Sequence, residues 1–236
     1  MHLYIIRHGE TYGNLNGDGF TETDLTDNGL KQAFLLGERF KDERIDAIYT
    51  STLIRAVRTG SEIYKYHKTA KFNIFTSLME KGTDKDYTGL PDDVLQNIVP
   101  DAAIRDRTPL GEENQQKALE RAKRVINTIL SENDDNSNVV IVAHGMFNTY
   151  LILAATGLGL IPDFNFSQNN TGVTLIRYLY ENGVKKTKLT YTNDCSHLIE
   201  NWEWKIENFG TLRVDYIKNK KCILLFIVGT TNNFKW

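Results

Sequence analysis

The chain has 236 residues and a formal net charge of −2, from 28 Lys and Arg against 30 Asp and Glu. Its 41% hydrophobic and 25% charged residues exclude a disordered chain, and its length allows a sizeable core without disulfides or metals. The near-neutral charge leaves no global footprint for nucleic acid or an anionic membrane surface. The longest apolar run, Cys222–Val228, is far too short to span a bilayer.

In chain order, Leu3–Ile6 is a short apolar, β-rich run that stops at Arg7-His8-Gly9 and predicts a buried strand. Arg7 and His8 also interrupt any signal-peptide pattern. The two cysteines lie far apart and have no metal-ligand spacing, so a cytoplasmic protein is expected. A polar, glycine-rich stretch runs from Gly9 to Asp24. Thr26 then offers an N-cap, and Leu30, Phe34, Gly37 and Phe40 recur at helical spacing. Ile45–Tyr49 reads as a second strand, Leu53 to Tyr66 as a helix, and Phe72–Phe75 as a third strand running toward Glu80. Residues 81–111 break this rhythm with three of the four prolines and many charges, which points to a functional lid or cap. Within that stretch, Asp92–Val99 predicts a short helix. A longer helix over Glu112–Leu130 follows, then a buried strand, Val139–Ala143, that stops at His144-Gly145 and leads into another helix ending near Thr156. Val173–Tyr180 and Val184–Thr192 flank Asn182-Gly183, a strong hairpin signal.

Alternating β and α runs predict an α/β fold with a largely parallel sheet and helices on both faces. Ligands of such sheets bind beyond the carboxyl ends of the strands. Three of those ends carry chemistry: Arg7-His8-Gly9-Glu10-Thr11 with Asn14, Ser51 to Ala56 with Arg55, and Ala143-His144-Gly145. Two arginines, two histidines and helix N-termini at one sheet edge describe a phosphate pocket, because the arginine fork clamps two phosphate oxygens at once. A neutral imidazole can attack phosphorus, and a carboxylic acid must protonate the leaving alkoxide. Glu80, after the third strand and before the lid, is the candidate acid.

These residues carry a resemblance. Arg7-His8-Gly9-Glu10-Thr11 with Asn14 resembles the signature of the histidine phosphatase superfamily, which includes the phosphoglycerate mutases. Ser51, Leu53, Arg55, Ala56 and Thr59 resemble its second motif, Leu78-Met79-Glu80 the segment bearing the acid, and Ala143-His144-Gly145 the second histidine motif. Gly172-Val173-Thr174 and Asn193 to Leu198 resemble its closing hairpin and end. The resemblance covers roughly residues 1–198. It implies a three-layer α/β/α fold, a catalytic domain over 1–200 and a phosphohistidine formed on His8. It also implies that Arg7, Arg55 and His144 hold the phosphoryl group with help from Asn14, and that Glu80 is the proton donor. Gly145 is expected to add a backbone N–H; no metal or cofactor is implied. Two departures mark this chain. The Gly-x-Trp-Glu-Gly-like run that often follows the acid is replaced by Lys81-Gly82-Thr83-Asp84-Lys85-Asp86-Tyr87-Thr88-Gly89, and Gly60 stands where Ala is usual.

The expected activity is metal-independent hydrolysis of a small phosphate monoester. A phosphoglycerate mutase on the same fold is the first alternative. A metallohydrolase using His8, His144 and Glu80, disfavoured by the two arginines, and a non-catalytic phospho-ligand binder are the others. Thr21 is a candidate substrate contact. Glu10 reads as structural, and Arg58 as an ion-paired helix residue. Arg105 and Arg107 read as solvated loop charges, and His2, His67 and His197 as structural or exposed. Residues 201–236 hold six Lys/Arg against three Asp/Glu, or +3, while the first 200 hold 22 against 27, or −5. This basic extension, with apolar runs at Leu212–Ile217 and Cys222–Val228, is a candidate homodimer contact.

Overall fold

The computed structural model describes residues 1–17, 22–162 and 164–199. Thr21 and the 201–236 extension, with its expected dimer contact, lie outside the described residues. The strands are β1 (His2–Arg7), β2 (Ala47–Ser51), β3 (Lys71–Phe75), β4 (Ala103–Asp106), β5 (Asn138–Ala143), β6 (Val173–Glu181) and β7 (Val184–Asp194). The helices are α1 (Tyr12–Asn16), α2 (Asp27–Phe40), α3 (Ile54–Tyr64), α4 (Asp92–Ile98), α5 (Gln115–Glu132) and α6 (Gly145–Thr156). The seven strands form one sheet in the order β4-β3-β2-β5-β1-β6-β7. The first five are mutually parallel; β6 and β7 close one side as an antiparallel hairpin. This is the expected α/β sandwich with a mostly parallel sheet.

The central strands β1, β2 and β5 bury both faces, which is why β1 and β5 read as continuous apolar runs rather than alternating ones. Leu3 and Ile5 of β1, Val139 and Ile141 of β5, and Tyr49 of β2 face a core shared with α5 and α6. Tyr4, Ile6, Val140, Val142 and Ile48 face the opposite core, shared with α2, α3 and α4. The period of two along each strand thus splits one apolar run between two helical layers.

Helix starts follow local chemistry. Thr26 caps α2 by accepting from the Gly29 N–H at 2.9 Å, and Asp27 complements the helix dipole in the first turn. The buried face of α2 is Ala33, Leu36, Gly37 and Phe40, whereas the expected core residues Leu30 and Phe34 are exposed. The reason lies at Gly37, where a Cβ would sit 2.6 Å from the Glu62 carbonyl oxygen; that close approach to α3 sets which side turns inward. Gly60, in α3, is likewise constrained: a Cβ there would stand 2.7 Å from the Thr50 Cγ2. The departure to glycine therefore lets α3 sit tightly on β2.

Two elements were not expected. Thr11 and Asn14 form a reciprocal capping box that starts α1 inside the polar stretch after β1. In the 81–111 segment, residues 103–106 join the sheet as the edge strand β4 beside β3, so this segment is partly woven into the sheet. Arg105 pairs with Glu132, and Arg107 with Asp92 and the carbonyls of Thr88 and Leu90. Neither stands as a free loop charge. The Asn182-Gly183 hairpin turn forms as expected, with positive φ at both residues (52° and 76°).

Candidate active site

The strand order positions the site. β5 inserts between β2 and β1, so the carboxyl ends of three strands that are distant in sequence become neighbours. Arg7 pairs in register with Ala143, and Thr50 with Val142. The residues that follow, His8, His144 and Ser51, therefore meet at one edge.

His8 and His144 are buried, at 3% and 0% exposure, with ring centroids 5.1 Å apart. The His8 Nδ1 lies 2.6 Å from the Gly9 carbonyl oxygen. A carbonyl only accepts, so Nδ1 carries the proton and Nε2 keeps its lone pair. Gly9 is itself held, its N–H donating to Thr59 Oγ1 at 3.0 Å; a Cβ on Gly9 would stand 2.7 Å from the Gly29 carbonyl oxygen. The His144 Nε2 lies 2.7 Å from Ser51 Oγ, which accepts from the Leu53 N–H at 3.3 Å. His144 Nδ1 has no partner among the described residues. Burial, Arg55 and Arg7 hold the His8 imidazole well below its ordinary 6.5. Burial, Arg55, His8 and Arg7 do the same for His144. Both rings are neutral near pH 7.

Arg7 and Arg55 supply the positive charge. Arg7 Nη1 donates to the Gln168 carbonyl oxygen at 2.8 Å, while its Nε is buried without a partner among the described residues. Gln168 is fixed in turn by Asn148 and Thr174, at 2.7 and 2.8 Å. Gly145 lies against Arg7, and a Cβ there would be 3.3 Å from Arg7 Nε. Arg55 is fully packed in the first turn of α3. Asn14 Oδ1 accepts from the Thr11 N–H at 3.2 Å and from Asn170 Nδ2 at 3.1 Å; the same Asn170 amide donates to the His8 carbonyl oxygen at 3.0 Å. Asn14 thus braces the loop that carries His8.

Glu80 follows the short turn Thr76–Leu78 at the end of β3 and reaches the same edge. Its Oε1 accepts from the Lys81 and Phe147 N–H groups, both at 2.8 Å, and its Oε2 from the Met146 N–H at 3.1 Å. Burial raises the Glu80 carboxyl above 4.5; these three N–H groups and Arg55 pull in the opposite direction without cancelling the rise.

One expectation is narrowed here: free N–H groups at the N-termini of α3 and α6 are expected to favour an anion. Glu22 Oε1 takes the Ile54 N–H at 2.8 Å, and Glu80 takes those of Met146 and Phe147. Protein carboxylates thus take three of these N–H groups; the Gly145 N–H is not among them.

Sequence reasoning also missed residues that support the site. Gln168 and Asn170 sit in a loop with no periodicity, and their only local sign is the polar run Gln168-Asn169-Asn170 before Thr171. Glu22 accepts from the Tyr87 hydroxyl at 2.9 Å as well as from Ile54, close enough to Arg55 to perturb it. Burial pushes the Glu22 carboxyl up, against the pull of those two donors and Arg55. Of the residues read as structural, Glu10 accepts from the Thr26 hydroxyl, Arg58 pairs with Asp24 at 3.1 Å, and His197 bonds Thr171. A cleft of about 550 Å³ lined by residues 82–85 and 110–114 opens beside the Glu80 segment and contains none of the catalytic candidates. Among the described residues no three His, Cys, Asp or Glu side chains cluster as a metal set.

The chain is similar to known proteins in sequence and fold. The profile of the histidine phosphatase superfamily (branch 1) matches residues 3–190. A Hydrogenobacter thermophilus protein named as a phosphoserine phosphatase is 27% identical over 83% of this chain and 96% of its own length. An Erwinia tasmaniensis protein named as the phosphoglycerate mutase GpmB is 28% identical over 84% of this chain and 95% of its own. Among solved structures, the alpha-ribazole phosphatase from Shigella flexneri superposes with a TM-score of 0.62 at 25% identity, covering 85% of this chain and all of that one. A profile that spans most of the chain, on a fold that brings its four strand-end motifs to one edge, leaves one conclusion: the chain belongs to the histidine phosphatase superfamily, branch 1.

Proposed function

We propose that this enzyme is a metal-independent phosphohydrolase that removes phosphate from a small phosphate monoester through a phosphohistidine at His8. The observation that carries it is the buried pair of neutral imidazoles between Arg7 and Arg55, with a raised carboxyl at the same edge. His8 Nε2 attacks phosphorus, and the ester P–O bond breaks. Glu80 gives its proton to the leaving alkoxide; Oε2, with its single N–H contact, is the oxygen suited to carry that proton. Water then attacks phosphorus while the Glu80 carboxylate takes a proton from it; a P–O bond forms, the P–N bond breaks, and inorganic phosphate leaves with His8 restored. Arg7 and Arg55 stabilise the charge on the equatorial oxygens. Ser51, by donating its hydroxyl to His144 Nε2, leaves the proton on Nδ1, so that His144 is a further donor to the phosphoryl group. Asn14 and the Gly145 N–H assist in binding the phosphoryl group; Asn14 also braces the His8 loop, and Gly145 leaves Arg7 room. Thr21 is retained as a substrate contact.

Residues 1–200 form the catalytic domain, 81–111 cover the site, and the extension over 201–236 is the dimer contact. The substrate is the only partner required, with no role for nucleic acid or a membrane. No helix among the described residues is long and apolar enough to cross a membrane, and we place the enzyme in the cytoplasm. The similarity to a protein named as a mutase supports a second reading, in which the phosphoryl group returns to substrate rather than to water.

A radiolabelled monoester tests both. Wild type should form an acid-labile, alkali-stable phosphoenzyme and release inorganic phosphate, and His8→Ala should do neither. Full turnover in His8→Ala overturns the proposal, isomerised ester without phosphate release selects the mutase, and loss of activity in chelator revives a metallohydrolase.

A further inference from the structure

We propose that Arg121 is a positioning residue for the proton donor; the proposal rests on the reading of Glu80 as the acid. Arg121 lies on α5, far from the phosphate edge in sequence, and its side chain is 4% exposed. All three of its nitrogens are engaged. Nε and Nη2 fork onto the two oxygens of Glu113 at 2.7 and 2.6 Å. Nη1 donates to the carbonyl oxygens of Ser77 and Met79, at 2.8 and 3.0 Å. Its guanidinium carbon stands 3.6 Å from the centroid of the Phe147 ring.

Those contacts converge on one side chain. Met79 immediately precedes Glu80, so Nη1 fixes the backbone that launches the carboxyl. Phe147 is the residue whose N–H holds Glu80 Oε1 at 2.8 Å, so the stacked guanidinium fixes the other end of that bond. Downstream, the Thr83 hydroxyl holds the Glu80 carbonyl oxygen at 2.9 Å. Arg121 thereby ties the turn after β3, which launches Glu80, to the first turn of α6, which holds its carboxyl, and Glu113 at the entry to α5 fixes the guanidinium between them.

The choice of arginine supports positioning over plain packing. A buried ion pair is a poor source of stability, and apolar residues of similar volume usually do as well or better. A planar fork holds two carbonyls and a carboxylate in fixed directions, which neither an apolar residue nor the point charge of lysine can do. Proton transfer to a leaving oxygen depends on that directional control; a displacement of about 1 Å can cost about a hundredfold in rate.

The test uses leaving-group dependence, which general structural damage does not move. Two substrates are compared: 4-nitrophenyl phosphate, whose phenolate departs without protonation, and glycerol phosphate, whose alkoxide needs a proton. Glu80→Gln should lose about a hundredfold or more in kcat/KM, which reports formation of the phosphoenzyme and not its hydrolysis, on glycerol phosphate and far less on the nitrophenyl ester. Arg121→Met should show the same selectivity, with at least about tenfold more loss on the alkyl ester and an unchanged inhibition constant for inorganic phosphate. Arg121→Lys should fall between. Glu113→Gln, which keeps the arginine and loosens its fork, covers the case in which Arg121→Met fails to fold, and should show a smaller loss of the same kind. Equal losses on both esters in folded Arg121 or Glu113 variants, or no loss, overturn the positioning role. Absence of selectivity in Glu80→Gln itself overturns the assignment of the acid, and this proposal with it.

Discussion

Acidification should destabilise the empty enzyme between pH 6.5 and 5 through its two active-site histidines, and phosphate should reverse the effect. Burial and the flanking arginines hold His8 and His144 well below 6.5 in the fold, whereas in the unfolded chain they titrate near 6.5. Below that pH the unfolded chain binds protons that the native state refuses, so stability falls as pH falls. One pH unit is worth about 1.4 kcal/mol per group, so each histidine accounts for at most about 2 kcal/mol at pH 5. His197, lowered to about 4 by burial and Arg39, acts with the same sign. Glu80 and Glu22, both raised by burial, act with the opposite sign, because they bind protons in the fold before they do in the unfolded chain. The clean measurement is therefore a difference: urea unfolding of wild type and His8→Asn at pH 7.5 and 5. The wild type should lose about 1 to 2 kcal/mol more than the variant over that interval. Phosphate at about a hundred times its dissociation constant should restore about 2.7 kcal/mol to wild type at pH 5, by binding the native state alone. Parallel pH dependence in the two proteins would refute the claim that the fold keeps His8 neutral.

Three further outcomes follow from the geometry. Ser51→Ala removes the partner of His144 Nε2 and should lower kcat/KM about tenfold, the worth of one buried hydrogen bond, with a smaller change in melting temperature. Glu22→Gln removes the carboxylate that competes with the phosphoryl group for Arg55, so KM for phosphate monoesters and the inhibition constant for inorganic phosphate should both fall severalfold; no change in either would count against it. Gly29→Ala would place a Cβ 2.0 Å from the Glu10 carbonyl oxygen, displacing the chain just after His8; thermal unfolding should show a loss of about 1 to 3 kcal/mol.

Much of this molecule could be read from local pattern. The runs around Ile5 and Ile141, the Thr26 cap and the Asn182-Gly183 turn each express short-range physics: β-branched apolar runs, an oxygen accepting a helix N–H, two residues that tolerate positive φ. Positions near strand ends were legible for the same reason, because Arg7, His8 and His144 each follow directly on an apolar run. The face of α2 was not, since Leu30 and Phe34 fit the helical period as well as Ala33 and Leu36 do; the close approach at Gly37 settled the rotation. β4 stayed hidden because a short edge strand with alternating exposure differs little from a charged loop.

What the sequence determined by itself is the inventory of the reaction: a nucleophilic imidazole, two arginines, a second histidine and an acid, each placed after a strand end. Only the tertiary structure decided how they work together. Insertion of β5 between β2 and β1 brings His8 to 5.1 Å from His144, and burial there turns two ordinary imidazoles into neutral ones. The same folding places the Glu22 and Glu80 carboxylates on N–H groups of two helix ends, and sets Arg121 behind Glu80. Such contacts join residues tens of positions apart, and no local spacing records them. They form only when two helical layers pack on one sheet and bury charged groups that must find their partners there.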